Sequence, residues 1–231
     1  MSRVLAWDGC LNVRDLGGLP VSGGRTRRGV VVRADSIRQL TEPGWLALAE
    51  YGVRTVVDLR GDAECAADPP PPVAVELVRV PIAPDDVLVV EAFQTLHEGY
   101  AAMLARFRER FSEAARAIAA AEPAVVVHCA VGRDRTGLLV ALLLRLCGLE
   151  LETIAADHAE SDANLEETLA AWFDAAPDDA ERERRQRIAA PAGDTVARVL
   201  EKLEREHGSV RAYLGLDEGT ATRIRELLVQ H

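Results

Sequence analysis

The residues with chemistry to offer lie in one segment, Val125-Val-Val-His-Cys-Ala-Val-Gly-Arg-Asp-Arg-Thr-Gly-Leu-Leu-Val140. An apolar β-branched run leads into a compact loop, and the loop leads into an apolar helix. Strand, tight loop and helix N-terminus bring unpaired backbone N–H groups and the positive end of the helix dipole to one point, which is an anion cradle. Cys129 opens the loop, where those groups favour a thiolate, the nucleophilic form of the side chain. Arg135, at the far end, can fold its guanidinium back over the loop and hold two phosphate oxygens in bidentate fashion. Between them Ala130, Val131, Gly132, Arg133 and Asp134 supply the amides that, with Arg135, would bind the substrate. Gly132 lets the backbone approach the ligand or take positive φ. Thr136 can hydrogen-bond the sulfur as it leaves, and His128 would brace the loop through its imidazole. The nucleotide loop Gly-x4-Gly-Lys-Ser/Thr is absent from the sequence, so no nucleotide-triphosphate chemistry is implied.

Such a loop needs a rigid sheet beneath it. Val30–Arg33, Arg54–Leu59 and Ala124–His128 are β-branched runs that read as buried strands, as does the weaker Val75–Val80. Helical patterns alternate with them. Thr41-Glu42-Pro43 opens a helix that ends at Tyr51-Gly52, with cap, early proline and terminal glycine in order. An Ala-rich stretch from about Val87 to Ala121 predicts one or two helices, stopped by Glu122-Pro123. The fold class is therefore α/β, a largely parallel central sheet covered by helices on both faces, with ligands beyond the carboxyl ends of the strands. After Gly148 the pattern is wholly helical: Leu151–Leu169, a charged Asp178–Ile188 and Asp194–Glu206. Residues 1–231 are expected to form one domain.

Composition narrows the partners. The balance of 27 basic and 37 acidic residues gives a net charge of −10, which opposes general affinity for nucleic acid or anionic membrane. No run approaches the roughly 18 apolar residues of a membrane span, and Arg3, Asp8, Arg14 and Asp15 interrupt the first twenty residues, which hold no apolar segment of signal-peptide type. Cys10, Cys65, Cys129 and Cys147 lie far apart without zinc spacing, so no disulfide framework, metal or cofactor is expected, and a reducing cytoplasm is.

His-Cys-x5-Arg-Thr-Gly resembles the signature of the cysteine-based protein tyrosine phosphatases. Asn12-Val-Arg-Asp-Leu-Gly-Gly18, Val31-Val-Arg-Ala-Asp35, Val57-Asp-Leu-Arg60 and Gly208-Ser-Val-Arg-Ala-Tyr-Leu214 resemble, in order, four further motifs of a bacterial branch of tyrosine and lipid phosphatases. The resemblance implies hydrolysis of phosphomonoesters through a phosphocysteine on Cys129. Phosphotyrosine proteins would be the substrates, with phosphoserine, phosphothreonine or phosphoinositides besides. The protein would be a monomer or weak dimer. The leaving hydroxyl needs a proton; Asp134, inside the loop, ranks first as its donor, and Asp85 or Asp86, on a loop after the weak strand, second. Related loops carry a lysine where Arg133 stands, so Arg133 would add a second cation at the pocket rim for multiply phosphorylated ligands. Helices over about 160–190 would form a lid to which Trp172 and Phe173 belong; alternatively these aromatics dock one helix on the core.

Other residues read more plainly. Asp58 and Arg60 suit a structural ion pair, and Arg14 and Asp15 supports for the loop. His97, His158 and His207 carry no assigned role. Other readings are a mainly phosphoinositide or lipid phosphatase, a catalytically silent phosphate-binding module, against which intact Cys129 and Arg135 speak, and a sulfur-transfer enzyme, which also holds a cysteine in an amide-lined loop but would give no reason for Arg135 and the Thr-Gly after it.

Overall fold

The computed structural model describes residues 2–83 and 93–230. The β-branched runs form β4 (Val31–Ala34), β5 (Thr55–Asp58) and β7 (Val125–His128), every residue of which is buried. With β1 (Arg14–Asp15) and the weaker β6 (Glu76–Arg79) they make a five-stranded sheet of order β1-β4-β7-β5-β6. All neighbours are parallel except β1 and β4, which are antiparallel. The register aligns Ala34, His128, Asp58 and Arg79 across the carboxyl edge, so the loop after β7 starts from the middle of that edge.

Side chains alternate across the sheet, as the period of two requires. Val31, Val57, Val125 and Val127 face the larger core cluster, while Val32, Val56 and Val126 face a smaller one with Trp7, Ile37 and Leu48. The smaller face is covered by α1 (Glu42–Glu50), whose expected punctuation is present: the Thr41 side chain accepts from Gly44 N at 3.4 Å and Gly52 takes φ +88°. The larger face carries α3 (Leu96–Arg106), α4 (Arg108–Ala120) and α5 (Asp134–Leu146); a short α2 (Asp62–Cys65) follows β5. Leu138 to Leu144 of α5 are all buried, each worth about 1.5–3 kcal/mol for the larger side chains. That burial fixes the helix at whose N-terminus the loop lies.

The C-terminal part is helical: α6 (Leu151–Asn164), α7 (Glu166–Asp174), α8 (Asp179–Ile188), α9 (Ala192–His207), α10 (Val210–Leu214) and α11 (Glu218–Leu228). The pattern read as one helix to Leu169 breaks at Leu165, which is buried and caps both α6 and α7. Trp172 and Phe173 lie 5.8 Å apart, and Arg185 of α8 stacks 5.0 Å over the Trp172 ring, so the aromatics join α7 to α8. A small sheet of β2 (Pro20–Val21), β3 (Gly24–Thr26) and β8 (Val229–Gln230) was not expected from the sequence; it ties the C-terminal strand to the N-terminal hairpin. Among the described residues no helix is long and apolar enough to cross a membrane.

Beside the parallel sheet lies a buried ionic cluster. Asp157 of α6 receives Arg33 Nη1 at 2.7 Å, Arg14 Nε at 3.4 Å, and Arg3. Burial favours its neutral acid, but Arg33, Arg14 and Arg3 outweigh that and hold the carboxyl well below the usual range. Burial and the neighbouring Arg33 pull Arg14 down to about 9, against Asp157 and Glu160. Replacing the carboxylate would leave two fully buried guanidinium groups without it, so Asp157→Asn is expected to cost about 3–5 kcal/mol. The thermal midpoint should fall by about 10 °C; a variant melting with wild type would remove the cluster's structural role.

His128 and His158 are also buried. Burial holds both imidazoles below their ordinary value, against Asp58 for His128 and with Arg33 and Arg133 for His158. A depressed folded value means that the unfolded chain takes a proton the fold refuses. The stability this carries is present above the unfolded pKa of about 6.5 and is lost as pH falls below it, by about 1 kcal/mol for His158 at pH 5.5. Urea unfolding at pH 7.5 and 5.5 checks this: His158→Gln should lose less stability on acidification than wild type, and an equal loss would refute the assignment.

Candidate active site

The loop from Cys129 to Arg135 is held from outside by its carbonyls. Ala130 O accepts from Ser36 N at 3.0 Å, Val131 O from Asn12 Nδ2 at 3.0 Å, and Gly132 O from Arg33 Nη2 at 2.8 Å. A trans peptide points its N–H opposite to its C=O. Binding those carbonyls on the outside therefore turns the N–H groups of Val131, Gly132 and Arg133 toward the inside. Gly132 has φ +68°, and a Cβ there would lie 2.4 Å from Ala34 O, so only glycine fits between loop and β4.

Cys129 is buried where β7 ends, before the N-terminus of α5. The other thiols are in surroundings that oppose a thiolate: burial pushes Cys65 up to about 11 and Cys147 up to about 12, and burial with the Asp35 charge pushes Cys10 higher still. His128 Nδ1 lies 3.3 Å from Cys129 O, where the ring nitrogen must donate, and Nε2 faces Asp58 Oδ1 at 3.6 Å. The imidazole thus braces the loop without facing its interior. Thr136 Oγ1 is buried and makes no hydrogen bond among the described residues, so the expected bond to the Cys129 sulfur is not formed in this structure.

Arg135 makes a two-pronged pair with Glu64: Nη1 to Oε2 at 2.5 Å and Nη2 to Oε1 at 2.7 Å. Glu64 Oε2 also accepts from Gly61 N at 2.7 Å, which fixes the carboxylate. Burial would raise this carboxyl, but Arg135 lowers it. The same fork geometry suits two phosphate oxygens. Sequence reasoning passed over Glu64, whose signal was its place in the turn after β5, on the carboxyl edge where ligands of such sheets bind.

Arg133 differs from expectation. Its guanidinium is buried and turns away from the loop's mouth: Nε donates to Asp162 Oδ1 at 2.8 Å, and Nη2 to the carbonyls of Ala189 and Ala190 at 3.1 and 2.9 Å. Asp162 Oδ2 accepts from Ala192 N at 2.9 Å. Instead of a rim cation, Arg133 is a strut between the loop and the end of α8, because α6 and α8 offer it a carboxylate and two carbonyls; only its amide remains on the loop's inner side.

Asp134, at the first position of α5, keeps 19% of its side chain exposed. Its Oδ1 accepts from Tyr100 Oη at 2.6 Å, and Arg133 Nη1 lies 3.4 Å away. Asp85, the second choice of proton donor, and its neighbour Asp86 lie outside the described residues. Asp58 and Arg60 form the expected ion pair at 2.7 Å, extended by Asp68 at 2.6 Å. Arg14 supports the loop through Asn12, whose Oδ1 accepts from it at 2.6 Å. Asp15 does not: it accepts from Gly17 N, Gly29 N and Tyr51, closing the N-terminal turn instead.

The model of the tyrosine phosphatase family matches residues 5–230. A tyrosine-protein phosphatase of Nostoc commune is 31% identical over 145 residues, 58% of this chain and 49% of that protein. A Cupriavidus necator protein named as a tyrosine-protein phosphatase is 29% identical over 174 residues, 68% of this chain and 63% of its own. The chain thus spans less than two thirds of the length of either. The triple specificity protein phosphatase PtpB of Mycobacterium tuberculosis is 26% identical over 272 aligned positions, 96% of this chain and 97% of that one. With the family's model running through all but the two ends of the sequence, the chain belongs to the tyrosine phosphatase family.

Proposed function

We propose that the chain is a metal-independent, cysteine-dependent phosphatase that hydrolyses phosphotyrosine in proteins and also phosphoserine, phosphothreonine and phosphoinositide headgroups. The observation that carries this reading is the loop itself: Cys129 at its start, carbonyls bound outside, amides turned inward, and Arg135 held as a bidentate fork at its end. The breadth of substrates is supported by the relative from M. tuberculosis, which aligns along nearly the whole chain and is named for triple specificity. Family membership from residue 5 to 230 supports one catalytic domain. Free cysteines and negative charge fit a cytoplasmic monomer or weak dimer.

In the reaction, the Cys129 thiolate attacks phosphorus, and the S–P bond forms as the P–O bond to the leaving group breaks. Arg135 exchanges Glu64 for two non-bridging oxygens, and the inward amides take the charge of the transition state. Asp134 gives a proton to the leaving oxygen. Water then attacks the phosphocysteine, Asp134 takes its proton, and the thiolate leaves with Thr136 donating to the sulfur. Arg133 joins through its amide alone, so any preference for multiply phosphorylated ligands comes from elsewhere on the rim.

Two measurements test the reading. Hydrolysis of p-nitrophenyl phosphate should fall at least about a thousandfold in Cys129→Ser and be indifferent to chelator; equal activity in the variant would remove the nucleophile. With phenyl phosphate, whose leaving oxygen needs its proton, Asp134→Asn should cost about a hundredfold and abolish the decline of rate toward alkaline pH. An unchanged rate and profile would move the acid away from Asp134.

A further inference from the structure

Tyr100 and His158 are fully buried polar side chains that the reaction as written does not use. They stand in line behind Asp134: Tyr100 Oη lies 2.6 Å from Asp134 Oδ1 and 3.0 Å from His158 Nε2. The direction of the hydrogen bonds can be worked out. A neutral imidazole carries one N–H. His158 Nδ1 is buried without a partner among the described residues. A buried N–H with no acceptor forfeits more than a lone pair with no donor, because the lone-pair side is more readily tolerated. Arg33, Arg133 and Arg14 also face this ring, with Asp157 opposing them, and positive surroundings favour a lone pair. The proton therefore belongs on Nε2 and is given to Tyr100 Oη. Tyr100 has one proton of its own, and Asp134 Oδ1 receives it.

A second observation shows that the fold makes room for this line. Gly137 lies inside α5, where glycine costs about 1 kcal/mol relative to alanine. A Cβ at that position would lie 2.4 Å from His158 Cε1 and 2.8 Å from Nδ1. Without that glycine the ring could not lie where Nε2 reaches Tyr100.

We propose that Tyr100 and His158 are positioning residues for Asp134, holding Oδ1 through a one-way chain of hydrogen bonds so that Oδ2 alone exchanges protons with the substrate. The proposal rests on the reading of Asp134 as proton donor. Oδ1 already accepts from Tyr100 and faces Arg133 Nη1 at 3.4 Å, so a proton arriving on the carboxylate goes to Oδ2. As the P–O bond breaks, its electron pair stays on the leaving oxygen, which takes the proton from Oδ2. In the second step Oδ2 takes a proton from the attacking water while the S–P bond gives its pair back to sulfur. Tyr100 keeps its own proton throughout. On the tyrosine side burial, Asp134 and Asp162 outweigh Arg133 and keep the proton on the phenol.

The test is the leaving-group dependence of kcat/KM in Tyr100→Phe, which removes one hydroxyl and keeps the ring. Phenyl phosphate should lose about tenfold, a fraction of what general acid catalysis supplies, while p-nitrophenyl phosphate, whose leaving group needs little protonation, should stay within about twofold. In an Asp134→Asn background, Tyr100→Phe should add nothing, since coupled residues are not additive. Equal losses on both esters, no loss, or a full further loss in the double variant would overturn the proposal while leaving Asp134 in place. If Asp134→Asn itself shows no leaving-group dependence, the donor assignment fails and takes the proposal with it.

Discussion

A planar peptide cannot turn its oxygen and its hydrogen to the same side, and the active loop depends on that constraint. Three of its carbonyls are anchored outside by the Ser36 amide, Asn12 and Arg33. Their partners are in turn fixed. Asn12 is held by Arg14, and Arg14 and Arg33 meet at Asp157. A buried charge cluster is costly to assemble, and it is weak evidence of stability for its own sake. Here it orients donors that fix the direction of the loop's amides. The N-terminal strand, β4 and α6, far apart in sequence, meet at the back of one anion cradle.

The loop's cations divide into two kinds. Arg33 and Arg133 face carboxylates and carbonyls and serve as struts, one to β4 and α6, the other to α6 and the end of α8. Arg135 faces Glu64, a planar carboxylate held in the same fork geometry that suits two phosphate oxygens. A rigid fork paired with a planar anion keeps its rotamer, so under the proposed reaction little side-chain freedom would be lost on taking up a phosphate.

Much of the fold could be read in advance because its strands are fully buried and β-branched. Val31–Ala34, Thr55–Asp58 and Val125–His128 lie within a residue of the runs that predicted them. The small sheet escaped because strands of two and three residues carry no periodicity. The break at Leu165 escaped because an apolar residue continues a helical stripe as readily as it plugs a junction. In the site, the placement of Cys129, Gly132 and Arg135 on one loop between β7 and α5 was legible, since it follows from backbone geometry at fixed spacing. Glu64, Tyr100 and His158 were not, because their partners lie on elements brought together only by packing. Arg133 was misdirected for the same reason: its residue type said cation, and nothing local said which way the guanidinium would turn.

Gly137 carries a final consequence. The glycine of the Arg-Thr-Gly signature sits at the end of the first turn of α5 in ordinary helical backbone, with no tight turn to serve; its missing side chain is the mould of an imidazole from another helix. A signature letter of this kind records the shape of its neighbour. A signature glycine and a histidine that carries no role in the sequence are then halves of one fitted surface, and a change in either half rewrites what the other is allowed to be.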